Sequence, residues 1–146
     1  MTSRTMGFTL CSLLLAGAAH AVAPVQTLGI KLQDSSTDAA IAHMRVVLDH
    51  ATLKPGRVTI EAENQSKTLV HELIVVRDAG AKKLPYDAGK NLVVEKRIRS
   101  LGEISELAPG KSGKLTLDLK PGTYVLFCNQ PGHYQDGMLA KVVVAR

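Results

Sequence analysis

Tryptophan is absent from this chain, and two phenylalanines and three tyrosines are its only aromatics. The stacking platforms and interleaved basic and aromatic residues that mark nucleic-acid binders are therefore missing, and nucleic acid is not an expected partner. Cysteine is scarce as well, with Cys11 and Cys128 only. No Cys-x-x-Cys occurs, which excludes a dithiol redox motif and a zinc ribbon. Glycine-rich phosphate loops and serine-nucleophile motifs are also lacking. Long helical periodicity is almost absent. At 146 residues the chain has room for one domain.

The N-terminal stretch stands apart from that domain. Arg4 precedes an apolar, small-residue-rich segment over 6–18, and Ala19-His20-Ala21 is an A-x-A cleavage site. This pattern reads as a secretory signal peptide over 1–21, too short to span a membrane. Cleavage near Ala21 leaves a single domain over 22–146; cleavage after Ala23 would put Pro24 first, which signal peptidases tolerate poorly. Leu10 stands where a lipobox needs a small residue before Cys11. A secreted, periplasmic protein is expected, with no membrane span in the mature chain. Loss of Arg4 lowers the net charge from +5 to +4, a mildly basic balance that suits an acidic protein partner or an anionic surface.

Removing the signal leaves Cys128 alone, so an intramolecular disulfide is impossible. A free thiol in an oxidising compartment is a liability. A metal-bound thiolate is protected from that chemistry, and this is the first pointer to a metal.

The remainder reads as short strands separated by turns. Residues 26–32 read as an edge strand, followed by a connecting loop, and 44–48 read as a strand. Residues 57–63 alternate cleanly, with Val58, Ile60 and Ala62 on one face. In the apolar run 69–76, His71, Leu73 and Val75 share a face, so the histidine points toward the core. Residues 78–100 break the rhythm. Lys82, Lys83, Lys90, Lys96, Arg97 and Arg99 make this the most basic stretch, read as a surface excursion, with a turn or two of helix over 92–98 or a docking face for an acidic partner. Strands resume at 104–107, 114–119, 124–128 and 139–145. Seven or eight short strands with frequent turn signals describe an all-β sandwich.

The chemistry concentrates in residues 121–138. A strand delivers Cys128, His133 follows after four intervening residues, and Met138 after four more, with Pro131, Gly132 and Gly137 allowing tight bends. Taken singly, each of these residues is ordinary: a buried cysteine is a small hydrophobe and a loop-end methionine fills a core. At matched spacing on one loop, thiolate, imidazole and thioether suit copper better than a hard cation. His71 is available as a second imidazole. Cysteine–histidine catalysis is the rival use of Cys128, but it leaves Met138 without a role, and no enzyme is expected.

These residues resemble the cupredoxins, the blue or type 1 copper proteins. The Cys-x4-His-x4-Met spacing is similar to that of the rusticyanin, sulfocyanin and auracyanin members, whereas plastocyanin has a shorter gap between Cys and His. The resemblance covers roughly residues 44–146. It implies a Greek-key β-sandwich and one copper ion, with His71, Cys128 and His133 as equatorial ligands and Met138 as the weak axial one. It further implies a monomeric one-electron carrier with a redox partner such as a c-type cytochrome or a copper oxidase, acidic where it docks. The alternative is a periplasmic copper-binding protein for copper homeostasis or delivery.

Many members carry Asn after the upstream histidine, where this chain has Glu72. The side-chain bridge between the two ligand segments is therefore not expected from the usual amide, while the Glu72 N–H can still donate to the Cys128 sulfur. His133 is the expected electron port, rimmed by Pro131, Gly132 and Tyr134, with Phe127 as a second route. His43, Met44 and His50 form a possible additional copper patch, although a seven-residue extended separation of the two histidines spans more than ~20 Å.

Overall fold

The computed structural model describes residues 25–34, 44–80 and 83–146. The expected signal peptide and cleavage site, His43 and Lys82 lie outside the described residues.

Eleven strands are present among them: β1 (Gln26–Gln33), β2 (Arg45–Leu48), β3 (Thr52–Leu53), β4 (Gly56–Asn64), β5 (His71–Arg77), β6 (Tyr86–Asp87), β7 (Leu92–Val93), β8 (Ser100–Leu107), β9 (Ser112–Leu119), β10 (Gly122–Phe127) and β11 (Leu139–Val144). Eight have four or more residues, matching the sequence reading; β3, β6 and β7 are two-residue pairings. The segment 92–98 holds β7 and one short 3-10 turn, Glu95–Arg97.

Two sheets face each other, one ordered β2-β1-β4-β9 and the other β3-β11-β10-β5-β8; β1, expected at an edge, is an inner strand because it pairs with both β2 and β4. The chain changes sheet between β2 and β3, β3 and β4, β4 and β5, β8 and β9, and β9 and β10, and it is a Greek-key sandwich. The alternation in β4 buries Val58, Ile60 and Ala62 against Leu73, Val75, Leu126 and Val142 of the facing sheet. β8 is longer than its apolar signal. Its buried residues, Ile104 and Leu107, are three apart, because the pairing with β5 slips between His71 and Leu73 and Glu106 takes φ 38°. That bulge breaks the two-residue period on which sequence reading relies.

The excursion after β5 is a cover. It packs on the outer face of the second sheet and makes a smaller core from Ile74, Val76, Val93, Val125, Phe127 and Tyr134. This explains the unbroken apolar run in β5, which is buried on both faces. No helix of the described residues is long and apolar enough to cross a membrane.

Candidate metal centre

The second sheet and the loop that follows β10 place three donors at one end of the sandwich. His71 is the first residue of β5, and Cys128 directly follows β10; these strands are neighbours, paired from Tyr124 with Arg77 to Phe127 with Ile74. Upstream of His71, the turn is fixed by Asn64. Its buried amide donates to the carbonyls of Leu69 (2.9 Å) and Leu107 (2.7 Å) and accepts the Ser66 N–H (2.9 Å). Downstream of Cys128, the loop closes on itself through bonds from His133 N–H to Gln130 C=O (3.0 Å), Asp136 N–H to Gly132 C=O (3.0 Å) and Met138 N–H to His133 C=O (2.9 Å). Gly132 and Gly137, at φ 87° and 95°, take the left-handed conformations the loop requires. The Cys128 N–H donates to the Met138 carbonyl at 3.1 Å, which pins both ends of the loop together.

The donor atoms converge. His71 Nδ1 lies 3.2 Å from His133 Nδ1, and the Cys128 sulfur lies 3.4 Å from His133 Nδ1 and 4.0 Å from His71 Nδ1. Among the described residues this is the one group of three or more His, Cys, Asp or Glu donors gathered so closely. His71, Cys128 and Met138 are fully buried, while His133 retains 9% exposure at the rim. Met138 sits in the main core cluster with Cys128.

Burial dominates the electrostatics of the cluster. Burial pushes the Cys128 thiol up to about 11, partly opposed by the N–H groups of Glu72 and Gln130. Burial, with the neighbouring His133, lowers His71 to about 4, and burial also lowers His133. Near neutral pH the cluster therefore holds a protonated thiol and neutral imidazoles. Two imidazole nitrogens and a sulfur, with no hard oxygen donor in the group, form the set that selects copper over magnesium or calcium. His71 Nε2 has no hydrogen-bond partner among the described residues, so its ring is held by packing and by what Nδ1 faces.

A second set of interactions, which the sequence reading missed, holds this cluster in place. Glu72 N–H donates to the Cys128 sulfur at 3.4 Å, as expected. The Glu72 carboxylate also accepts the Asn129 N–H at 3.1 Å, so the bridge between the ligand segments exists, made by a carboxylate. Burial, followed by the charge of Glu95, raises the Glu72 carboxyl above its ordinary range. Asn129 then reaches the cover: its side chain accepts from Val93 N–H (2.7 Å) and donates to Val93 C=O (3.1 Å) and to Glu95 (2.8 Å). A polar residue directly after the strand-end cysteine was the available signal. Asp34 is a further contributor, since its charge opposes the lowering at both histidines.

Other expected residues fall elsewhere. Tyr134 is buried and packs edge-on against Phe127 at 5.6 Å, and its hydroxyl accepts the Leu84 N–H, so it is not part of the rim. Phe127 is fully buried beneath the cover. Met44 is partly buried against the main core. His50, two residues past β2, is exposed beside Asp49.

The family model for copper binding proteins of the plastocyanin/azurin family matches residues 33–145. No curated protein matches the chain. Several solved structures share the fold. Reduced auracyanin from Roseiflexus castenholzii is 21% identical, with 83% of this chain and 98% of that chain covered and a TM-score of 0.57. Auracyanin A, a "blue" copper protein from Chloroflexus aurantiacus, is 23% identical, covering 84% and 100%, with a TM-score of 0.57. Rusticyanin from Thiobacillus ferrooxidans is 20% identical, covering 83% and 77%, with a TM-score of 0.59.

Proposed function

The chain belongs to the copper-binding proteins of the plastocyanin/azurin family, and on that premise we propose that it is a secreted one-electron carrier whose single copper ion is held by His71, Cys128, His133 and Met138. The observation that carries this reading is the convergence of His71 Nδ1, His133 Nδ1 and the Cys128 sulfur within 4.8 Å of one another. When bound, copper supplies a one-electron couple between Cu(I) and Cu(II). The protein's part is to hold the donors still. Cys128 and His71 stand at the ends of paired strands, His133 and Met138 on a loop closed by its own hydrogen bonds. Such a frame resists rearrangement when the charge changes.

His133 provides the route to a partner, because the other three ligands are sealed from solvent. Pro131 is exposed beside it. Lys90 adjoins Asn91, whose carbonyl accepts the Gly132 N–H at 2.8 Å, so a cation stands next to the ligand loop. An acidic face on a c-type cytochrome or a copper oxidase fits this rim. Export rests on Arg4, the apolar segment 6–18 and Ala19-His20-Ala21.

The test is the visible spectrum of the purified protein with Cu(II). Intense sulfur-to-copper charge transfer is expected, and Cys128→Ser should abolish it. A colourless Cu(II)-loaded wild type would sink the proposal.

A further inference from the structure

The basic excursion leaves a groove between itself and the outer face of β5, β10 and β11, enclosing about 700 Å³. Its floor is apolar, with Val76 and Val125 buried and Leu84, Ile98 and Leu139 alongside. Its rim is cationic: Arg77, Lys83, Arg97, Arg99, Lys120 and Lys141, against the carboxylates of Asp78 and Asp118. Both carboxylates are already engaged, Asp78 by Lys141 at 2.7 Å and Asp118 by Arg57 at 3.7 Å. Arg77 is occupied too, donating to the Pro121 carbonyl at 2.7 Å. Among the described residues, Lys83, Arg97, Arg99 and Lys120 form no ion pair.

The chemistry selects its occupant. An inorganic anion would leave the apolar floor uncovered, and a neutral apolar molecule would leave the cations unused. An extended acidic peptide would need backbone partners. The centre of the floor offers none, because β5 and β10 are interior strands paired on both sides, and the edge that β11 leaves unpaired before Val143 is only about four residues long, at the groove's margin. We propose that this groove binds a small amphipathic organic anion, one carboxylate or sulfonate head on a flat or aliphatic apolar body. The volume lies within the range of small-molecule sites, which are mostly apolar with a few placed polar groups. The copper cluster takes no part, so this proposal stands or falls independently of electron transfer.

The experiment is a fluorescence titration of the purified protein with 1-anilinonaphthalene-8-sulfonate, followed by competition with decanoate. Saturable binding at one site, blue-shifted emission and displacement by decanoate are expected. Replacing Arg97 and Arg99 together by serine should weaken binding about tenfold, as the loss of two charge-assisted contacts implies. Replacing Lys90 and Lys96 by serine removes the same charge from the same segment outside the groove, and should change affinity by less than about twofold. Ala79→Trp, at an exposed position on the rim, should obstruct the groove without touching the core. Neutral N-phenyl-1-naphthylamine should bind weakly and respond to none of the charge changes. Absence of saturable binding, equal weakening by the two double variants, or sedimentation with anionic phospholipid vesicles without displacement by decanoate would each overturn the proposal. The last outcome would assign the face to a lipid surface.

Discussion

The Glu72 carboxylate accepts the backbone N–H of Asn129 at 3.1 Å, joining the strand that carries His71 to the loop that carries His133 and Met138. Because Asn129 is only 6% exposed, its N–H has little water to fall back on. The same Asn129 grips Val93 and Glu95 in the cover, so one residue couples both ligand segments to the cover over the outer face.

Removing the acceptor should therefore cost more than a surface change. Glu72→Ala leaves a buried donor unpaired, and a loss of about 1–3 kcal/mol is expected in denaturant unfolding of the metal-free protein. Glu72→Gln keeps an accepting oxygen and loses the repulsion from Glu95, so its stability should match or exceed that of the wild type. Equal stability of the alanine variant would mean that the bridge contributes nothing.

The candidate loop was legible because its chemistry is local. Cys128, His133 and Met138 lie within eleven consecutive residues, and the turn-forming glycines sit among them. His71 was legible through alternation, sharing a face with Leu73 and Val75. What escaped depends on a second layer. Tyr134 reads as a rim residue until the cover is present to bury it against Phe127. Ile74 and Val76, on the face of β5 opposite His71, have no assigned partner in the sequence reading, because their burial comes from residues 84–98 closing over them. The first half of β8, residues 100–103, was hidden because its pairing slips again between Val75 and Val76 and its one large apolar residue, Leu101, is exposed.

Acidity should act on the metal-free protein from both sides. His71 has a folded value of about 4 against an ordinary 6.5, so the unfolded chain binds more protons as pH falls below 6.5, and stability should decline from there toward 4. Cys128 is raised from 9.0 to about 11, so the unfolded thiol ionises first and stability should also decline as pH rises through that window. Between these limits, copper uptake must displace the thiol proton. Calorimetry of Cu(II) binding at pH 7 in buffers of different ionisation enthalpy should report about one proton released. No release at that pH would mean that the thiol does not become a ligand.

Met138 is tested by a change that spares its packing. It is fully buried in the main core, and leucine is close in volume, so Met138→Leu should cost less than about 1.5 kcal/mol in the metal-free protein. If its sulfur is the weak axial donor, losing it favours Cu(I), and the reduction potential should rise while the charge-transfer colour persists. An unchanged potential with unchanged stability would reduce Met138 to core packing.

The remaining choice is between carrying electrons and handing over copper. A carrier must keep its metal through each cycle, whereas a delivery protein must yield Cu(I) to a partner by ligand exchange. The geometry favours retention: His71 and Cys128 come from separate strands, both fully buried, and the His133–Met138 segment is fastened to Cys128 through the Met138 carbonyl. Only His133 is open to an incoming ligand. Mixing reduced, copper-loaded protein with an oxidised small c-type cytochrome in a stopped-flow instrument should show rapid electron transfer. A parallel competition with a Cu(I) chelator should show slow copper loss, since exchange has to proceed through local opening of the loop. Sluggish electron transfer together with rapid loss to the chelator would reject the carrier and assign the same ligands to copper handling.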